Sequence, residues 1–295
     1  MQPADFLSAV FFYLKVGENL NQNWIVENLN NAFSTWNGKL GELWGLVTTG
    51  PQTFKGGAVW GVMQTLHNGM VGIGYALVVL FFAISLCKNT MNFHELKRPE
   101  AAIHYFLRFV AAKALVGYGM DIMLNVFSIC NDIVTDMADS MGGISEAMVS
   151  LPAEMQTAIE NVGFLASIPL WLVTILGSLF ITVLSFVMIL TVYGRFFRLY
   201  MYTALAPLPL AAFAGESTQS VGISFLKSYV GVCLEGAVIV LACVIYSAFV
   251  STPTVASGEA TTIVWSYLAE TVFNMLVLVG LIKGSDRIIH EMMGL

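Results

Sequence analysis

The stretch YGRFFRLYMYTALAPLPLAAFAGESTQSVGISFLKSYVGVCLEGAVIVLACVIY, Tyr193 to Tyr246, decides the reading of this chain. It joins the end of one apolar segment to the start of another. Between them lie Arg195 and Arg198, a Pro-Leu-Pro break at Pro207 and Pro209, a polar hinge and Lys227. A water-soluble core has little use for a proline-broken apolar segment with charged edges. In a bilayer, broken backbone is tolerated where it is buried in protein or lines a cavity. The expectation is a membrane-embedded stretch with the other helices packed around it.

Composition agrees. Of 295 residues, 57% are hydrophobic and 11% charged, against about 25% charged in soluble domains. The formal net charge of −6 says less than where the charges sit. Cys87, Cys130, Cys233 and Cys243 lie in or beside apolar runs, with no CxxC pair, and read as small apolar residues rather than a metal or redox site. Asp5 precedes Lys15 at the N-terminus, so no cleaved signal peptide is expected.

Outward from the central stretch, apolar segments of bilayer length recur. They fall at about 69–87, 101–127, 164–193, 228–250 and 262–282, and about 20 apolar residues cross the ~30 Å hydrocarbon core. Lys88, Lys97 and Arg98 follow the first, and Arg195 and Arg198 follow the third. The positive-inside rule puts those edges in the cytoplasm, the N-terminus outside and the C-terminus inside. Residues 199–213 are short for a span. A dip that returns to the cytoplasmic side satisfies the charge rule at Lys227, Lys283 and Arg287, whereas a crossing does not. Residues 131–162 carry six carboxylates and no Lys or Arg, as an extracytoplasmic loop would. Their spacing lacks the glycine and terminal glutamate of a calcium loop.

The first 66 residues read as a separate extracytoplasmic part, ahead of a transmembrane domain at 67–295. Phe6, Leu7, Val10, Phe11 and Leu14 are mildly amphipathic. Ile25, Leu29, Phe33, Trp36, Leu40, Leu43, Trp44 and Val47 follow gaps of three and four, with Glu, Asn, Ser and Lys between them. Such a helix is too polar to span and suits a membrane interface, or a partner subunit's soluble domain. Gly50-Pro51 ends it. The fold class is therefore all-α and polytopic: about five spans, one broken and re-entrant segment, and an N-terminal amphipathic interfacial helix.

No enzyme constellation stands out. GxxxxGK[ST], GxSxG and HExxH are absent, and His67, His94, His104 and His290 are scattered, so they read as surface or interfacial residues. No catalytic group, metal or cofactor is expected. Charges inside the apolar segments are the stronger signal: Arg108, Lys113, Asp121, Glu235 and Glu270. Charged groups in lipid need partners or water. The segment depths suggest that Glu235 pairs with Arg108 or Lys113, either as structural glue or along a polar passage.

Two stretches, RPEAAIHYFLRFVAAKALVGYGMDIMLNVFSICN and the central GRFFRLYMYTALAPLPLAAFAGESTQSVGISFLKSYVGVCLEGAVIVLACVIY, resemble the TrbL family. So do NLNNAFSTWNGKLGELWGLVTTGPQTFKGGAVWGV and FHELKRPE. Its members are polytopic inner-membrane subunits of conjugative type IV secretion systems, equivalent to the polytopic subunit of the VirB machinery. This version is similar to those of Gram-positive conjugative elements. The resemblance implies a homo-oligomeric ring at the base of a translocation channel, working with other secretion subunits and separate ATPases. These deliver a relaxase-bound single DNA strand across the cytoplasmic membrane. The acidity of 131–162 argues against tight phosphate binding, because nucleic-acid affinity comes mainly from Lys and Arg. A solute transporter would share the broken segment and buried charges, but no internal repeat supports one. A non-conducting scaffold is the third reading.

Overall fold

The computed structural model describes residues 3–90, 99–140, 148–162, 164–249 and 260–294, with side chains from 24–88, 103–139, 148–162, 167–249 and 262–294. His94, Lys97, Arg98, Gly142-Gly143, Glu146 and the 250–259 connection lie outside the described residues, as do the side chains from Phe6 to Leu14.

Every regular element among the described residues is helical. In chain order they are α1 (Pro3–Thr48), α2 (Ala58–Thr90), α3 (Pro99–Gly117), α4 (Gly119–Ser140), α5 (Ala153–Glu160), α6 (Phe164–Leu205), α7 (Pro207–Ala211), α8 (Gln219–Phe249) and α9 (Ala260–Met293). Single 3-10 turns occupy Phe54–Gly57 and Ala212–Ala214. Among the described residues, four stretches are long and apolar enough to cross a membrane: Phe54–Lys88, Ser167–Leu205, Gln219–Phe249 and Thr262–Met293. A bent pair, Ile103–Gly117 with Gly119–Asp139, makes up to five. The protein is an all-α polytopic membrane protein.

The helices divide between two compact units: 1–44, 142–191 and 241–283 form the first, 45–141, 192–240 and 284–295 the second. In the first unit the stripe Ile25, Leu29, Phe33, Trp36, Leu40 and Leu43 is buried, and Trp44 is half-buried. It packs inside the protein, with Phe33 edge-on to Tyr267 of α9 and Trp24 beside Trp171 of α6. The face assigned by sequence to an interface is thus occupied by the chain's own helices. Asn37 of α1 binds the backbone of Val149 from both sides, donating to its carbonyl at 2.8 Å and accepting from its N–H at 2.9 Å.

In the second unit, α2, α3 and α7 pack together. The expected continuous helix over 101–127 is broken instead. Gly117 and Gly119 flank Tyr118, and α3 and α4 meet at 73°. A Cβ on Gly117 would lie 2.7 Å from the Tyr75 hydroxyl, and one on Gly119 3.2 Å from Leu210, so neighbouring helices approach where a side chain would stand. Beyond the bend α4 is amphipathic. Met123, Phe127, Cys130, Val134 and Ala138 are buried, while Asp121, Asp132, Asp136 and Asp139 are exposed.

Two further boundaries differ from the expectation. The third apolar segment does not stop at Tyr193, because α6 runs unbroken through Gly194, Arg195 and Arg198 to Leu205. The break therefore comes later and is shorter, at Ala206–Pro207, with Pro207 opening α7. A proline is tolerated there because a first-turn N–H has no intrahelical acceptor. Cys130, Cys233 and Cys243 are buried as expected, whereas Cys87 is exposed.

Candidate functional site

A polar cluster lies inside the second unit, where α6, α8 and the end of α9 meet. Arg195 and Arg198 are three apart and so share a face of α6. Arg195 is 0% exposed. Its guanidinium is satisfied by backbone: Nε donates to the Val232 carbonyl at 3.3 Å, Nη1 to Val47 at 3.3 Å and Nη2 to Cys233 at 3.0 Å. The Val47 carbonyl is available for a covalent reason. In a continuing helix it would accept from residue 51, which is proline and has no N–H. The Tyr200 hydroxyl donates to the Pro51 carbonyl at 2.9 Å, so the end of α1 is held by two side chains of α6.

Arg198 carries the ion pairing. Its Nη2 donates to both carboxylate oxygens of Glu235 at 2.6 Å, and its Nη1 meets Asp286. Glu235 is 1% exposed and also accepts from the Ser285 hydroxyl at 3.2 Å. The half-buried Asp286 lies 3.6 Å from His290 Nε2. Arg198 thus bridges a buried carboxylate on α8 and a half-buried one on α9. A buried carboxylate without such partners would be costly in protein or lipid.

Close packing makes room for this chemistry. A Cβ on Gly236 would lie 2.7 Å from Arg195 Nη1 and 2.8 Å from both Cζ and Nη2. At Pro207, the Thr203 carbonyl loses its intrahelical donor, as Val47 does at Pro51. His67 of α2 supplies one, with Nδ1 2.7 Å from that oxygen. A carbonyl only accepts, so Nδ1 carries the hydrogen. Helix breaks at membrane depth persist when neighbouring side chains re-satisfy the freed backbone in this way.

The expected residues are distributed as follows. Glu235 pairs with Arg198, not with Arg108 or Lys113. Arg108, half-buried, instead faces Glu216 at 3.8 Å and Gln219 at 3.4 Å. Lys113, Asp121 and Lys227 are exposed, as is Glu270 in the first unit. Pro207 is buried and Pro209 half-buried. Arg195 and Arg198, expected at a cytoplasmic edge, form the centre of the cluster. Ser285, Asp286, Gly236 and His67 escaped the sequence reading. His67 is 2% exposed rather than interfacial. The signal that could have found it is Pro207, which announces an unsatisfied carbonyl four residues earlier.

Long apolar helices with buried, internally partnered charges and side-chain-capped proline breaks define a polytopic membrane subunit. Residues 36–207 match the family described as TrbL/VirB6 plasmid conjugal transfer like protein. That match covers more than half of the chain, and the protein belongs to this family. It is a membrane component of a conjugal transfer system and associates with other subunits of that system. The family is one of structural membrane components rather than enzymes. No curated protein and no solved structure matches the chain.

Proposed function

We propose that this subunit forms part of the membrane channel of a conjugative type IV secretion system, helping relaxase-bound single-stranded DNA across the cytoplasmic membrane. The observation that carries the reading is family membership over 36–207 in a chain with four or five candidate spans among its described residues. The subunit assembles as a homo-oligomer and works with separate ATPases, since the chain holds no phosphate-binding loop of its own. Its N-terminus is outside and its C-terminus cytoplasmic, in keeping with Lys88, Lys227, Lys283 and Arg287 on one side of the apolar segments. The Arg198–Glu235–Asp286 network holds three helices in the register that the passage requires. Arg108, Lys113, Asp121 and Glu270 serve as further polar contacts along the assembly.

The test is transfer frequency from a donor with an in-frame deletion of the gene, with complementation in trans. Loss of transfer restored by the intact gene supports the channel role. Normal transfer after deletion overturns it.

A further inference from the structure

In the first unit, α1 runs beside α6 in a register fixed by three contacts. Trp24 meets Trp171 with ring centroids 5.8 Å apart. Asn28 Nδ2 donates to the Ser178 hydroxyl at 3.0 Å. Lys39 Nζ lies 5.9 Å from the Phe186 ring centre. Residues 24–39 of α1 therefore share the depth of residues 171–186 of α6. That part of α6 belongs to a candidate span, and no charged residue occurs from Phe164 to Gly194. Its outer face is apolar, with Leu172, Leu176, Leu179, Phe180 and Val183 exposed.

At the same depth α1 is amphipathic in the opposite sense. Its apolar stripe is buried, and Glu27, Asn30, Asn31, Ser34, Gly38 and Gly41 are exposed. Lys39 and Glu42 pair at 2.6 Å on the same helix. Two further features agree. A groove of about 360 Å³ between α1 and α6 has Asn28, Asn31, Thr35, Ser178 and Thr182 on its wall together with Ala32, Ile175 and Leu179, so it is wide enough for water and offers it several polar partners on an otherwise apolar wall. The non-helical backbone at 148–152 reaches Asn37 of α1, and such backbone at membrane depth is found where it is buried in protein or beside a water-filled cavity. Hydrocarbon solvates none of these groups.

We propose that the outer face of α1 lines a water-filled passage in the assembled protein, while the outer face of α6 at the same depth meets lipid. This deepens the channel reading and rests on it. The wall is suited to a hydrated anionic chain that must slide rather than bind, because it offers amides, hydroxyls, glycines and the Glu27 carboxylate, with its lysine already paired to Glu42.

The experiment is a cysteine scan on the full-length protein in its assembled apparatus, in a Cys87→Ser background because Cys87 is exposed. Asn31→Cys, Ser34→Cys, Gly38→Cys and Gly41→Cys report on α1, and Leu172→Cys, Leu176→Cys and Val183→Cys on α6. A Cβ at Gly38 or Gly41 meets nothing within 4 Å, so those two variants keep the packing. The probe is a charged, membrane-impermeant methanethiosulfonate, applied to intact cells and to inverted vesicles. The α1 positions should react about tenfold faster than the α6 positions from at least one side, since only a hydrated thiol ionises to the reactive thiolate. Modification at Ser34→Cys should also lower transfer frequency.

Slow reaction at α1 from both sides overturns the proposal, as does equal reaction at α1 and α6, which would put this part of α6 in water. A deletion strain that loses transfer, combined with an unreactive α1 face, would reject this lining while leaving the channel role intact.

Discussion

Gly236 lies against the guanidinium of Arg195, so close that a single methyl group there would fall 2.7 Å from Nη1. The arginine can reach the Val232 and Cys233 carbonyls only because α8 has no side chain at that point. Gly236→Ala should therefore destabilise the protein by about 1–3 kcal/mol, the usual cost of overpacking. Gly280→Ala, where nothing lies within 4 Å of the added carbon, should not. Thermal unfolding of the two variants in detergent checks this, and equal midpoints would refute it.

Removing one member of the Arg198–Glu235 pair should cost more than removing both. Glu235→Leu leaves Arg198 without its buried partner, a loss of about 3–5 kcal/mol for buried pairs. The double variant Arg198→Leu/Glu235→Leu should recover part of that loss, with a coupling of about 0.5–3 kcal/mol. Additive losses in a double-mutant cycle would show that the contact at 2.6 Å does not hold α6 to α8.

His67 and Pro207 should also be coupled. With Pro207 present, His67→Ala leaves the buried Thr203 carbonyl without a donor, at a cost of about 1–3 kcal/mol. Pro207→Ala restores a backbone N–H that can reach that oxygen, so His67→Ala should cost less in that background. The same loss in both backgrounds would mean that the ring acts through packing alone.

Lys113 offers a contrast. It looks costly in sequence, near the middle of an apolar segment, yet it is exposed in the second unit. Lys113→Gln should change stability in detergent by no more than about 0.5 kcal/mol, as surface substitutions usually do. A loss comparable with that of Glu235→Leu would place Lys113 in a buried contact.

The family and the helical membrane character were legible in the sequence, as were the apolar stripe Ile25–Leu43 and the break at Pro207. Each is a local property: the charge deficit, the repeat of apolar residues and the chemistry of proline are properties of neighbours along the chain. A run of apolar residues crosses lipid whatever it later touches, so composition alone could find the segments at 69–87, 164–193 and 262–282, which lie within α2, α6 and α9, and the one at 228–250, which lies in α8 as far as Phe249.

Tertiary structure alone decided which partners the polar groups found. Glu235 meets Arg198 across 37 positions and Ser285 across 50, and sequence depth suggested Arg108 or Lys113 instead. Residues at similar depth on different helices are equivalent until the helices rotate and pack. Nor could hydropathy say that Arg195 sits in the interior, because its hydrogen-bond partners are three backbone carbonyls rather than a carboxylate. The cost of burying a charge depends on what surrounds it in space, and a single sequence records only what surrounds it along the chain.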